Sequence, residues 1–151
     1  MATFDFTKGG TTGLADTQKH KHVVLENEID FAHADYAGVV GSSVVQMLNV
    51  PAGFLMTRCI VNVKTAAGGV VTFTVGDGAA AAGWILVVDG NVAGVTLSNL
   101  DLSEAAPPTY DDANMGLGGK YYAAADTIDI VPSDVMLAAV VKIFAEGFMV
   151  S

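Results

Sequence analysis

The chain has one cysteine, one tryptophan, four prolines and only seven basic residues among 151, and each scarcity removes a class of protein. Cys59 alone cannot form an internal disulfide, and its place in an apolar run makes a buried, inert thiol the expected outcome. Folding in a reducing cytosol fits that usage. Seven Lys and Arg against sixteen Asp and Glu give a formal charge of -9, which repels nucleic-acid backbones. The opening MATFDFTKGGTTG lacks a positively charged start followed by a long apolar run, so no secretory signal is expected. The most apolar stretch, residues 135–150, is broken by Lys142 and Glu146 and is too short for a comfortable membrane span. A soluble protein is expected, with neither nucleic acid nor membrane as partner.

What is present is apolar. Hydrophobic residues make up 52% of the chain and charged residues 15%, a core-rich profile that argues against general disorder. A chain of this length suits one domain and buries roughly two-thirds of the surface its unfolded form exposes. So few charges cannot cover the outside of a lone monomer, so apolar surface is expected to be hidden against another subunit or a larger assembly. The acids also cluster: from Asp77 to Asp134 there are nine carboxylates against one base, Lys120. The N-terminal stretch, with Lys8, Lys19, Lys21, His20 and His22, is mildly basic.

Residues 1–22 are rich in Gly, Thr and Lys with only Phe4, Phe6 and Leu14 as apolar anchors, and read as an arm. From His22 the pattern turns to β, with apolar runs at 23–25, 29–32 and 44–50 separated by charged or small residues. Pro51-Ala52-Gly53 predicts a turn, with a positive φ at the glycine. In the strand that follows, FLMTRCIVNVK, alternation puts Leu55, Thr57, Cys59, Val61 and Val63 on the core face. Ala66-Ala67-Gly68-Gly69 predicts a hairpin into residues 70–75, with Val71, Phe73 and Val75 inward. Gly76-Asp77-Gly78 ends that strand. The four alanines after it have no bulk and suit a place where the chain runs close against other backbone, with Trp84 as the anchor beyond. Residues 85–88 predict a strand with 92–97 pairing back, 98–119 a long irregular stretch, and 120–123, 127–131 and 135–150 further strands, the last central with a bend near Gly147. Seven to nine short strands predict an all-β fold, a β-sandwich of jelly-roll type over 23–151 with an extended N-terminal arm over 1–22.

No constellation for chemistry emerges. His20, His22 and His33 are conceivable metal ligands, but Lys21 lies between the first two and no second ligand pair is near, so no metal is expected. Asp111-Asp112-Ala113-Asn114 lacks the alternating ligands of a calcium loop, and in KGGTTG the lysine precedes the glycines, unlike a phosphate loop. No serine sits in a G-x-S-x-G elbow, and no pair of carboxylates stands out. No catalytic residue and no cofactor are expected.

The succession of a polar arm, SSVVQMLNVPAGFLMTRCIVNVKT, GGVVTFTVGDG, AADTIDIVP and a closing apolar strand resembles the head decoration, or capsid cement, proteins of tailed bacteriophages over residues 40–150. It departs from them in GDGAAAAGW, where a more polar, acidic run commonly follows GDG. The resemblance implies a virion structural protein without catalysis, made in the host cytoplasm, that binds the outside of an assembled capsid. It implies the major capsid protein as partner and a homotrimer as oligomer. Phe4, Phe6 and Lys8 are then expected at capsid or neighbour contacts, and Trp84 with its alanines at a subunit interface. The competing expectation is a carbohydrate- or receptor-binding module of a phage fibre, with Trp84, Tyr110, Tyr121 and Tyr122 as a stacking surface.

Overall fold

The computed structural model describes residues 22–98 and 119–150. They form nine strands and one short 3-10 turn, Ala34–Tyr36. The strands are β1 (His22–Asp30), β2 (Val45–Val50), β3 (Phe54–Thr65), β4 (Thr72–Gly76), β5 (Ile85–Asp89), β6 (Gly94–Leu97), β7 (Lys120–Tyr122), β8 (Asp126–Pro132) and β9 (Val140–Met149). All pairings are antiparallel and make two sheets: β1-β9-β3-β6, with β7 also on β3, and β2-β8-β4-β5. The chain is an all-β sandwich.

The core is what alternation delivers from both sheets. Cys59, Val61 and Val63 of β3, Val71, Phe73 and Val75 around β4, Ile128 and Ile130 of β8, and Val141, Ile143 and Ala145 of β9 are all buried. Burial pushes the Cys59 thiol up to about 12, which keeps it protonated and unreactive. The predicted turn at Pro51-Ala52-Gly53 is present, with Gly53 at φ 81°.

Four local expectations are corrected. Along β3 the buried face changes partway: Phe54 and Met56 are inside, and Leu55 and Thr57 are not. The cause is a bulge, since Met56 faces Gly147 while Arg58 faces Glu146, leaving Thr57 as an extra residue whose hydroxyl donates to the Glu146 carbonyl at 3.2 Å. Gly147 of the central strand β9, where a bend was expected, pairs with Met56 at the edge of this bulge. Second, residues 66–69 do not close a hairpin. β3 and β4 belong to different sheets, and Ala67 donates to Gly90 and Gly68 to Leu137 as the chain crosses over. Third, β6 pairs with β3, not with β5. Fourth, the runs at 23–25 and 29–32 are parts of one strand, β1, which carries Glu26-Asn27-Glu28 along a sheet edge. There Lys142 pairs with Glu26 at 3.2 Å, Lys64 with Glu28 at 3.0 Å, and the Asn27 amide donates to the Met47 carbonyl at 2.8 Å. That last bond ties the β1 and β2 edges of the two sheets together.

Candidate functional site

The densest polar arrangement within the sandwich is built where β4 ends. Gly76 is the last residue of β4, and a Cβ there would run into the backbone of Ala80 and Ala81. Only a residue without a side chain lets the alanine run fold back this closely. Thr74 fastens the return by donating to the Ala81 carbonyl at 2.8 Å. Asp77 then turns inward: its backbone N–H donates to the Ala80 carbonyl, and its Oδ1 accepts from the N–H groups of Ala79 and Ala80 at 3.0 and 3.2 Å. Its other oxygen, Oδ2, accepts from Lys120 Nζ at 2.6 Å and from the Tyr122 hydroxyl at 2.8 Å. The Tyr122 oxygen in turn accepts from Trp84 Nε1 at 3.0 Å.

The chain thus links three separated places, the β4–β5 turn, the start of β5 and the β7 edge of the other sheet, through one carboxylate. The Asp77 side chain is 0% exposed and that of Lys120 14%. An ion pair this deep holds because both carboxylate oxygens are engaged, each accepting two hydrogen bonds. Burial pushes the Tyr122 phenol upward, so the hydroxyl stays neutral and keeps its donating proton. Lys120 also lies over the Tyr122 ring, 5.1 Å from its centroid. This arrangement fastens sheet to sheet and presents no acid–base pair to solvent. The sequence signal for it was the single base among nine carboxylates: a lysine so isolated, on a strand facing a turn aspartate, is a candidate for a buried partner.

Trp84 is therefore inside this chain's own core, 5% exposed. That burial leaves its indole no open face for a sugar or for another subunit. Of the other residues of the stacking surface, Tyr122 is buried, Tyr121 is exposed, and Tyr110 lies outside the described residues. Phe4, Phe6 and Lys8 lie outside them too, as do His20 and Asp111–Asp112. His22 packs edge-on against Phe148 at 5.5 Å, while His33, at the far end of β1, caps the 3-10 turn by accepting from the Asp35 N–H at 3.3 Å. Among the described residues no group of three His, Cys, Asp or Glu is placed to hold a metal ion, and no helix is long and apolar enough to cross a membrane.

A second polar group is buried with less support. Asp129 on β8 faces Gln46 on β2 and Gly76 on β4, and its Oδ1 is buried without a hydrogen-bond partner. Burial raises its pKa above the ordinary 3.8, the Thr127 side chain opposes that by hydrogen bonding, and the charges of Asp126 and Asp77 add to it. The folded chain then binds this proton more tightly than the unfolded chain. Its contribution to stability is complete below pH 3.8 and is lost as pH rises through the folded value. Asp129→Asn should gain on the order of 1 kcal/mol at pH 7, and the gain should shrink toward pH 4. Thermal unfolding of both proteins across that range checks it, and a gain that does not vary with pH would refute the assignment.

Two open grooves follow β2. One is bordered by Gln46, Asn49, Pro51, Asp126 and Thr127, the other by Val24, Glu26, Asn27 and Asn49. Neither brings a nucleophile together with a base.

No protein-family model matches the chain, and no curated protein does. Solved structures do. The chain is similar to one in the acidic stable capsid structure of Helicobacter pylori bacteriophage KHP30, at a TM-score of 0.57 and 10% identity, over 87% of this chain and 91% of that one. It is similar to a chain in the capsid asymmetric unit of cyanophage Pam1, at 0.58 and 12%, over 87% and 86%. It is also similar to a chain in the capsid of Ralstonia phage GP4, at 0.58 and 10%, over 85% and 84%. At these identities the likeness is one of fold, and it runs nearly end to end in each pair.

Proposed function

We propose that this chain is a virion structural protein that binds the outer surface of a phage capsid and stabilises it, a decoration or cement protein. The observation that carries the reading is a fold shared along 85–87% of the chain with chains of three phage capsid structures. The strand orders support it further. With β7 set aside, eight antiparallel strands in the orders β1-β9-β3-β6 and β2-β8-β4-β5 support the jelly-roll reading, an architecture used by viral capsid domains. The partner in this reading is the major capsid protein, the place is the capsid surface after synthesis in the host cytoplasm, and the oligomer is a homotrimer. No catalysis and no cofactor belong to it.

Its mechanism would be attachment. A folded unit that binds the assembled shell and not its dissociated parts stabilises the shell by mass action. Contacts across junctions between capsid subunits give that stabilisation where internal pressure acts, and interfaces of the standard size supply enough of it. The test is to purify native particles and count copies of this chain per major capsid protein, then to strip it and add it back. Fixed stoichiometry, rebinding, and loss of rebinding when residues 1–22 are removed are expected; a chain absent from particles and indifferent to stripped capsids overturns the reading.

A further inference from the structure

The buried pair at the end of β4 meets the requirements of a reaction as well as those of a fastening. Lys120 Nζ lies 2.6 Å from Asp77 Oδ2. The carboxyl carbon is one C–O bond further on, which puts nitrogen and carbon close to the roughly 3–3.5 Å separation of a poised reacting pair. The two oxygens of Asp77 are held differently. Oδ1 accepts from two backbone N–H groups, those of Ala79 and Ala80 at 3.0 and 3.2 Å, the arrangement that stabilises a developing oxyanion. Oδ2 accepts from the ammonium and from the Tyr122 hydroxyl at 2.8 Å, so the oxygen beside the amine is also the one that two proton donors face. Trp84 Nε1 donates to that hydroxyl at 3.0 Å and strengthens it as a donor in turn. The Asp77 side chain is closed off from water and that of Lys120 nearly so, which keeps solvent from competing for either partner.

We infer that Lys120 and Asp77 condense to an amide, a covalent cross-link between Nζ and Cγ that the folded chain makes in itself. A proton passing along the 2.6 Å hydrogen bond gives the neutral amine and the neutral acid. The amine lone pair then attacks Cγ, and the displaced electron pair moves onto Oδ1, where the Ala79 and Ala80 N–H groups receive it. The pair returns as the Cγ–Oδ2 bond breaks. Oδ2 leaves as water with two of the three ammonium protons, and the third stays on the amide nitrogen. The Tyr122 hydroxyl donates to Oδ2 as it departs and ends with its own proton. Ammonium and carboxylate thus become amide and water, with no oxidant, reductant or co-reactant, and the ion pair is the state before condensation. The bond joins the turn after β4 in one sheet to β7 in the other, so an unfolded chain would keep a closed loop between residues 77 and 120. This single turnover of the chain on itself does not rest on attachment to a capsid.

The experiment is mass spectrometry of the full chain, purified folded and then unfolded in denaturant. The intact mass should be one water lighter than the sequence requires, and proteolysis should release a branched peptide in which the fragment holding Asp77 is joined to the fragment holding Lys120. Lys120→Arg keeps the positive charge beside the carboxylate and lacks the amine, so it should show the full mass and no branched peptide. A wild-type chain of full mass without the branched peptide overturns the inference. So does a water lost equally from Lys120→Arg, which would place the loss in a cyclic imide at Asp77-Gly78 or Asp89-Gly90. The branched peptide is sought in the unmodified sequence, so its presence or absence decides the matter even where the variant fails to fold. Because these measurements need no capsid, they can fail while the particle experiment succeeds, or the reverse.

Discussion

Asp77→Ala should lower the unfolding free energy by about 3–5 kcal/mol, the usual cost of leaving one member of a buried ion pair without the other. For a domain of this size that is a fall in melting temperature of roughly 10–15 °C. The size follows from how much converges on one side chain: Lys120, the Tyr122 hydroxyl and the N–H groups of Ala79 and Ala80 all donate to it. Lys120→Met separates the charge from the rest. Alone it should also destabilise, because the carboxylate then stays inside without its cation. In the Asp77→Ala background it should cost far less, since no buried charge remains to be left over. A double-mutant cycle by chemical denaturation reads the coupling directly. Additive losses would mean that the two side chains do not act together.

Gly76→Val should be nearly as damaging, for a reason that involves no charge. The position has no room on one side, because the backbone of Ala80 and Ala81 lies against it. A side chain there must push backbone atoms away, and overpacking of this kind costs typically about 1–3 kcal/mol. One displaced residue, Ala80, also holds Asp77, donating its N–H to the carboxylate and accepting from the Asp77 N–H, so the loss should exceed what the clash alone would give. The expected signature is a lower melting temperature together with a larger shift in Trp84 fluorescence than an exposed substitution such as Val70→Thr produces. An unchanged melting temperature would mean that the alanine segment is not seated on β4 as described.

Much of the framework is legible in the residues themselves. Strand content follows from alternation, and β4 is the clearest case: Val71, Phe73 and Val75 face in while Thr72 and Thr74 do not. The alanine run was readable as a close backbone approach because residues without bulk beside two glycines suit one, and four alanines are too few for the competing helical turn to stand alone. Pairing was less legible. Whether a turn closes a hairpin or carries the chain to the opposite sheet depends on partners far away in sequence, so Ala66–Gly69 and Gly90–Ala93 look alike until β8 and β9 are in place. The bulge at Thr57 escaped for a related reason. An extra residue reverses the facing of everything before it, and nothing local distinguishes Leu55 from Met56 as the inward side chain. Trp84 escaped because a lone indole after small residues suits an interface as well as a core. What decides is the Tyr122 hydroxyl, which arrives from a strand beginning 36 residues later.

The position of β9 has a consequence for synthesis. It lies between β1 and β3, so the first sheet has a gap at its centre until Val140–Met149 has left the ribosome. β1 and β3 must wait in the growing polypeptide with open backbone and apolar faces until their common neighbour emerges. Such non-local topologies fold slowly and aggregate readily when crowded. Chaperone supply during expression, rather than the stability of the finished molecule, should then set how much usable material a cell yields.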